Sequence, residues 1–118
     1  MPRFPTLLAA ALLLAAPALA QSGGHRGHGA ASANDTPSTR AYKQANDKMH
    51  RDMAIRFTGD ADRDFVAGMI AHHQGAIDMA KVVLEHGRDA EIRKLAQEII
   101  AAQEKEIAQM KEWQAKRR

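Results

Sequence analysis

The chain has 118 residues, no cysteine and a formal net charge of +3, which leaves room for one domain and no more. So small an excess of positive charge gives no reason to expect nucleic acid, and the interleaving of acidic with basic residues reads as a solvated helical surface. Without thiols there is no disulfide framework, so stability must come from packing, a bound ion or a partner, and any soft-metal donor must be methionine or histidine.

The first 20 residues read as a secretory signal. Arg3 supplies a positive start, residues 7–16 are an unbroken run of leucine and alanine, and Pro17 precedes Ala18-Leu19-Ala20, a small-x-small cleavage pattern. The apolar run is too short for a membrane span and suits an export signal. Neither a twin arginine nor a lipid-carrying cysteine accompanies it. Cleavage before Gln21 is expected, giving a periplasmic or secreted product with no membrane anchor. Loss of Arg3 would lower the net charge to about +2. Residues 21–37 hold almost nothing that could be buried and read as a flexible leader. His25-x-x-His28 lies in it, either a weak metal collector or an incidental pair.

From residue 38 to 118 every signal is helical, and three segments separate. The first runs from Ser38 to Phe57 and stops at Thr58-Gly59-Asp60, with Tyr42, Ala45, Asn46, Met49 and Met53 on one face. The second is capped by Asp60 or Asp62. Its apolar stripe includes Phe65, Val66, Met69, His73, Ala80 and Leu84, and it ends before Gly87. The third is capped by Asp89 and carries Ile92, Ala96, Ile99, Ile107, Met110 and Trp113 on its stripe. Short connections make neighbouring helices antiparallel. The expected fold is therefore an all-α antiparallel bundle of three long helices. Its narrow core leads us to expect a second copy completing four or six helices, a homodimer.

The chemistry concentrates in residues 69–80. Met69 lies in line with His73 (i, i+4) and beside His72 (i, i+3), and Met79 lies two turns beyond His72 on the same flank. Gly68 and Gly75 share that flank, and each glycine inside a helix costs about 1 kcal/mol against alanine, so a close approach should compensate. Gln74, Asp78 and Lys81 point the opposite way, toward solvent. On the first helix Met49 and Met53 stack one turn apart, and on the third Gln103 interrupts the apolar stripe with Glu106 beside it. Buried amides and carboxylates need partners. The simplest arrangement sets Gln103 and Glu106 across from His72 or His73, fixing an imidazole tautomer and aiming its other nitrogen at a metal. Thioether sulfur with imidazole suits Cu(I), and by the same logic Ag(I), far better than Zn²⁺ or Mg²⁺. Di-iron bundles need paired Glu-x-x-His motifs, and this chain has Met69-x-x-His72 instead. Each feature has a plainer reading: methionine is a common core filler, and a seam histidine is often a satisfied structural group.

The run Phe65-Val66-x-Gly68-Met69-Ile70-x-His72-His73-Gln74-Gly75-Ala76-Ile77-Asp78-Met79-Ala80 resembles the signature of the bacterial domain-of-unknown-function family 305. Met49-His50-x-x-Met53 before it and Gln103-x-x-Glu106-Ile107-x-x-Met110 after it agree, so the likeness covers residues 41–114. One departure is Ala71, where the family commonly has proline. The resemblance implies a ferritin-like bundle and an exported, CopM-like copper-binding role in copper tolerance. It marks Met49, Met53, Met69, His72, His73, Met79 and Met110 as metal positions, with Gln103 and Glu106 supporting them. The expectation is a protein that sequesters or delivers Cu(I) and is not an enzyme, since no nucleophile with an adjacent base is found. The competing expectation is a metal-free helical interaction module whose methionine-rich seam is a dimer interface.

Overall fold

A computed structural model describes residues 32–117, so the expected signal peptide and most of the leader lie outside the described residues. The described chain forms three helices, α1 (Pro37–Met53), α2 (Ala61–His86) and α3 (Ala90–Ala115), with no strand among them. The all-α bundle expected from the periodicity is the architecture found.

Each helix starts where a short polar side chain can satisfy exposed N–H groups. Thr36 precedes Pro37 and its hydroxyl accepts from the Thr39 N–H, so α1 begins one residue earlier than expected. Asp60 accepts from the N–H groups of Asp62 and Arg63, and is therefore the cap of α2 where the sequence left two candidates. Asp89 accepts from the Ile92 N–H at the head of α3. All three use proline or a side-chain acceptor in the manner helix starts require.

The end of α1 differs from expectation. The helix stops at Met53, not near Phe57, and residues 54–58 run without helical structure. The reason lies across the turn, in the carboxylate of Asp64. Thr58 donates to it through its N–H at 2.9 Å and its hydroxyl at 2.9 Å, and Gly59 donates through its N–H at 3.1 Å. Gly59 adopts φ 88°, a region open to glycine. These bonds, led by the Thr58 N–H, hold the Asp64 carboxyl below its usual value of 3.8. The tie is accordingly present at neutral pH and is lost only as the pH falls through that lowered value.

The helices alternate in direction, and α2 is the middle one. Arg93 donates to the carbonyls of Leu84 and Gly87, His73 meets Glu106, and Arg63 reaches the carbonyl of Arg117. That register runs α3 antiparallel to α2. Met49 against Gly75 and Ile55 against Gly68 give the same sense for α1 and α2. Both α1 and α3 pack on α2, while no Cα of α1 comes within 8 Å of one in α3. A middle helix is covered on two sides, and this corrects the single stripe expected for α2. Ile77, 2 % exposed, and Val82 are both buried although neither belongs to that stripe, whereas Phe65, which does, is 63 % exposed. Asp78 is half-buried, accepts from the Gln74 amide at 3.0 Å and stands 3.8 Å from Lys48 of α1. It therefore edges the α1 seam and does not simply face solvent.

The two helical glycines prove unequal. A Cβ built on Gly75 would lie 2.4 Å from the Met49 sulfur and 2.7 Å from its Cγ. Gly75 is the notch into which Met49 lies. A Cβ on Gly68 would meet only the Ile55 Cδ1, at an ordinary 3.9 Å. Gly68→Ala is therefore expected to gain about 1 kcal/mol from helix propensity. Gly75→Ala must set the same gain against an overpacking cost of about 1–3 kcal/mol. Urea unfolding of both variants checks this, and equal stabilisation at the two positions would show that Met49 swings away freely.

Candidate metal centre

His73 is the only polar side chain in the core of the described residues, 6 % exposed. It sits on the α3 side of α2, and its Nε2 is paired with the carboxylate of Glu106 on α3. A carboxylate accepts and does not donate, so Nε2 carries the proton of this bond, and in the neutral ring Nδ1 is left with a lone pair. Nδ1 is buried and has no partner, and the side-chain oxygen of Gln103, one turn before Glu106, is in the same condition. Buried acceptors without partners are rare enough to need an explanation.

Two methionines line the same cavity as this imidazole. A cavity of about 270 Å³ between α2 and α3 is lined by Phe65, Met69, His73, Glu106, Gln109 and Met110. Met69 and His73 reach it because they are one turn apart on α2. Glu106 and Met110 do so because they are one turn apart on the antiparallel α3. The donors brought together are thus one imidazole and two thioethers, with one carboxylate held against the imidazole. Phe65 and Gln109 also line the cavity without being among the expected site residues, and the i, i+4 step from Phe65 to Met69 is the sequence signal that points to the first.

The other candidate positions fall elsewhere. Met49 is packed against Gly75, at the α1–α2 seam. Met53 ends α1 and is exposed. Met79 is 42 % exposed and lines a separate apolar groove with Tyr42, Ala76, Val83, Leu95 and Ile99. His72 is exposed, its ring centre 6.0 Å from that of His73. Of the seven positions marked by the resemblance, Met69, His73 and Met110 share one cavity, Met49 lies at the α1–α2 seam, and Met53, His72 and Met79 are on the surface. Adjacent helical residues differ by about 100°, so the two histidines could not both face α3. Glu106 does meet His73 across the bundle as expected, whereas Gln103 makes no side-chain hydrogen bond through its buried oxygen.

Carboxylate and imidazole alone do not assemble a site, since no group of three or more His, Asp or Glu able to hold a metal occurs among the described residues. Any ion taken up at His73 would depend on sulfur. A larger cavity, about 350 Å³, lies at the end of the bundle among Arg56, Arg63, Asp64, Trp113 and Arg117. It offers no sulfur or imidazole. Its Asp64 is engaged by Thr58 and Gly59, and its Arg117 lies over the Trp113 ring at 4.1 Å.

A family model described as "Domain of unknown function (DUF305)" matches residues 12–114, and the chain belongs to that family. Over 49 residues the chain is 41 % identical to the protein named "Uncharacterized protein L153" of Acanthamoeba polyphaga mimivirus. That stretch is 42 % of this chain and 32 % of the viral protein, so the likeness spans about a third of the relative's length.

Proposed function

We propose that this member of the domain-of-unknown-function family 305 is an exported copper-binding protein that sequesters or delivers Cu(I), acting in copper tolerance by binding and not by turnover. One observation carries the reading: Met69, His73 and Met110 line a single cavity, and the buried His73 imidazole has one nitrogen paired with Glu106 and the other without a partner. A soft monovalent ion answers this arrangement in three ways. It accepts two thioethers and an imidazole as ligands. It gives the stranded Nδ1 lone pair a partner. Its single positive charge is offset by the Glu106 carboxylate beside the ring, whereas a divalent ion among the same neutral donors would keep an excess charge.

The resemblance to CopM-like proteins and the signal-like first 20 residues point the same way. Export would place the protein where incoming copper is met. Soft-donor selectivity would follow from sulfur alone, since carboxylate and imidazole do not assemble a site by themselves among the described residues.

Titrating protein recovered from the exported fraction with Cu(I), against a chromogenic Cu(I) chelator, tests the proposal. Withdrawal of copper from the chelator at a fixed stoichiometry is the expected result. Ag(I) is expected to compete for the same site and Zn²⁺ to compete poorly. Tight Zn²⁺ binding with weak Ag(I) binding would contradict a sulfur site.

A further inference from the structure

We propose that two copies of this chain pair through the open α2–α3 face, and that the pairing completes the Met69–His73–Met110 site with a thioether from the partner. The proposal of a copper site underlies the second half of this statement; the first half stands without it.

One long side of the α2–α3 hairpin is uncovered. Phe65, Met79, Ile92 and Leu95 are all exposed, Leu95 by 49 %. Met79 and Leu95 line an apolar groove of about 290 Å³. The His73 cavity, whose wall includes Phe65, lies farther along the same two helices. α1 packs on the Gly75 flank of α2 and does not approach α3, and it reaches the groove through Tyr42 at one edge.

The size and shape of the face select a second copy as its occupant. At 26 residues each, α2 and α3 are about 39 Å long, and two helices side by side are about 20 Å wide. Covering such a face takes roughly 800 Å² from each partner, the area of a standard stable interface. Two hairpins of equal-length helices, laid face to face about a two-fold axis, form a four-helix bundle. Charges of both signs alternate along α3 and its C-terminal cap, where Lys94 pairs with Glu98 and Lys116 with Glu112, so no single-sign field opposes the contact.

The pairing we propose lays α2 on its own copy, and that register names the residue that reaches the site. Full antiparallel overlap of one α2 on its copy, Ala61 opposite His86, sets the partner subunit's Met79 opposite Gly68, one residue from Met69. The partner therefore supplies a third sulfur to a cavity that holds two, and by covering Phe65 it closes that cavity to water. Met79 then has a role that its exposure in a single chain leaves unexplained.

Sedimentation equilibrium of the metal-free protein is expected to give twice the monomer mass. Leu95→Glu should preserve helical circular dichroism while weakening the dimer by roughly a hundredfold, because a two-fold interface buries the new charge twice. A monomeric wild type, or a dimer indifferent to Leu95→Glu, overturns the pairing. For the shared site, Met79→Leu and His73→Ala proteins are each expected to lose tight Cu(I) binding while remaining dimeric. Mixed in equal amounts, they should recover about a quarter of the wild-type sites, since half the dimers become mixed and each mixed dimer holds one intact site. Dimers that form without this recovery overturn the sharing. Absence of Cu(I) binding in the wild type would fail the copper reading alone, and the sedimentation result would still decide the pairing.

Discussion

His73→Ala is expected to weaken Cu(I) binding by roughly a hundredfold or more, while His72→Ala leaves it within a few-fold of the wild type. Loss even of a group that only orients a metal-binding histidine typically costs 10–100-fold, so loss of the ring itself should reach or exceed that range. The two positions are adjacent in sequence and identical in chemistry, which makes the pair a sharp test. His73 is buried, paired with Glu106 through Nε2 and shares a cavity with Met69 and Met110. His72 is exposed, with its ring centre 6.0 Å away. Glu106→Gln should fall between them, about 10–100-fold weaker, because an amide can still bond to the ring but brings no negative charge. Met69→Leu and Met110→Leu keep side-chain volume and remove sulfur, so their losses isolate the thioether from packing. Circular dichroism of each variant confirms that the helices persist. Equal effects of His72→Ala and His73→Ala would remove the basis for placing the ion between α2 and α3.

The contrast between neighbouring histidines also marks how far the sequence could be read. Three helices were legible because apolar periodicity marks their lengths and short polar residues mark the starts of two, Asp89 alone for α3 and Asp60 with Asp62 as its rival for α2. The early stop of α1 was not legible, because it depends on Asp64, a residue of the next helix that draws Thr58 and Gly59 toward itself. A single periodic stripe implies one covered side, so the reading missed Ile77 and Val82, which are buried because α2 is sandwiched between two helices. At the site, helical spacing joined Met69 to His73, and the Gln103–Glu106 interruption of α3 announced a polar partner across the seam. Spacing alone could not say that Met49 would be taken up by the notch at Gly75 while Met110 met His73. Those assignments depend on how the helices are arranged about one another, which is a property of the packed molecule.

Ile77→Ala is expected to destabilise the chain by about 2–5 kcal/mol, the range for truncating a large aliphatic side chain in a closed core. The upper part of that range is favoured by how little core exists to relax into the gap. Ile77 is the most buried apolar residue among those described, and the others in the core number only Ala45, Val66, Ala80, Val82, Ala96 and Ile107. A domain of this size shifts its midpoint by about 4–8 °C per kcal/mol, so thermal unfolding should drop by at least about 8 °C. Ile77 lies one turn beyond His73 on α2, and no lining residue of the His73 cavity is changed by its truncation. A ligand that binds only the folded form should therefore restore stability in the variant. Ag(I) at about 100 times its dissociation constant would return close to 2.7 kcal/mol, an amount comparable with the loss. Melting Ile77→Ala with and without Ag(I), beside the same pair for His73→Ala, separates core from site. The first variant should be rescued and the second should not. Rescue of both would mean that the ion binds where His73 plays no part, and rescue of neither would mean that no ion is held by the fold.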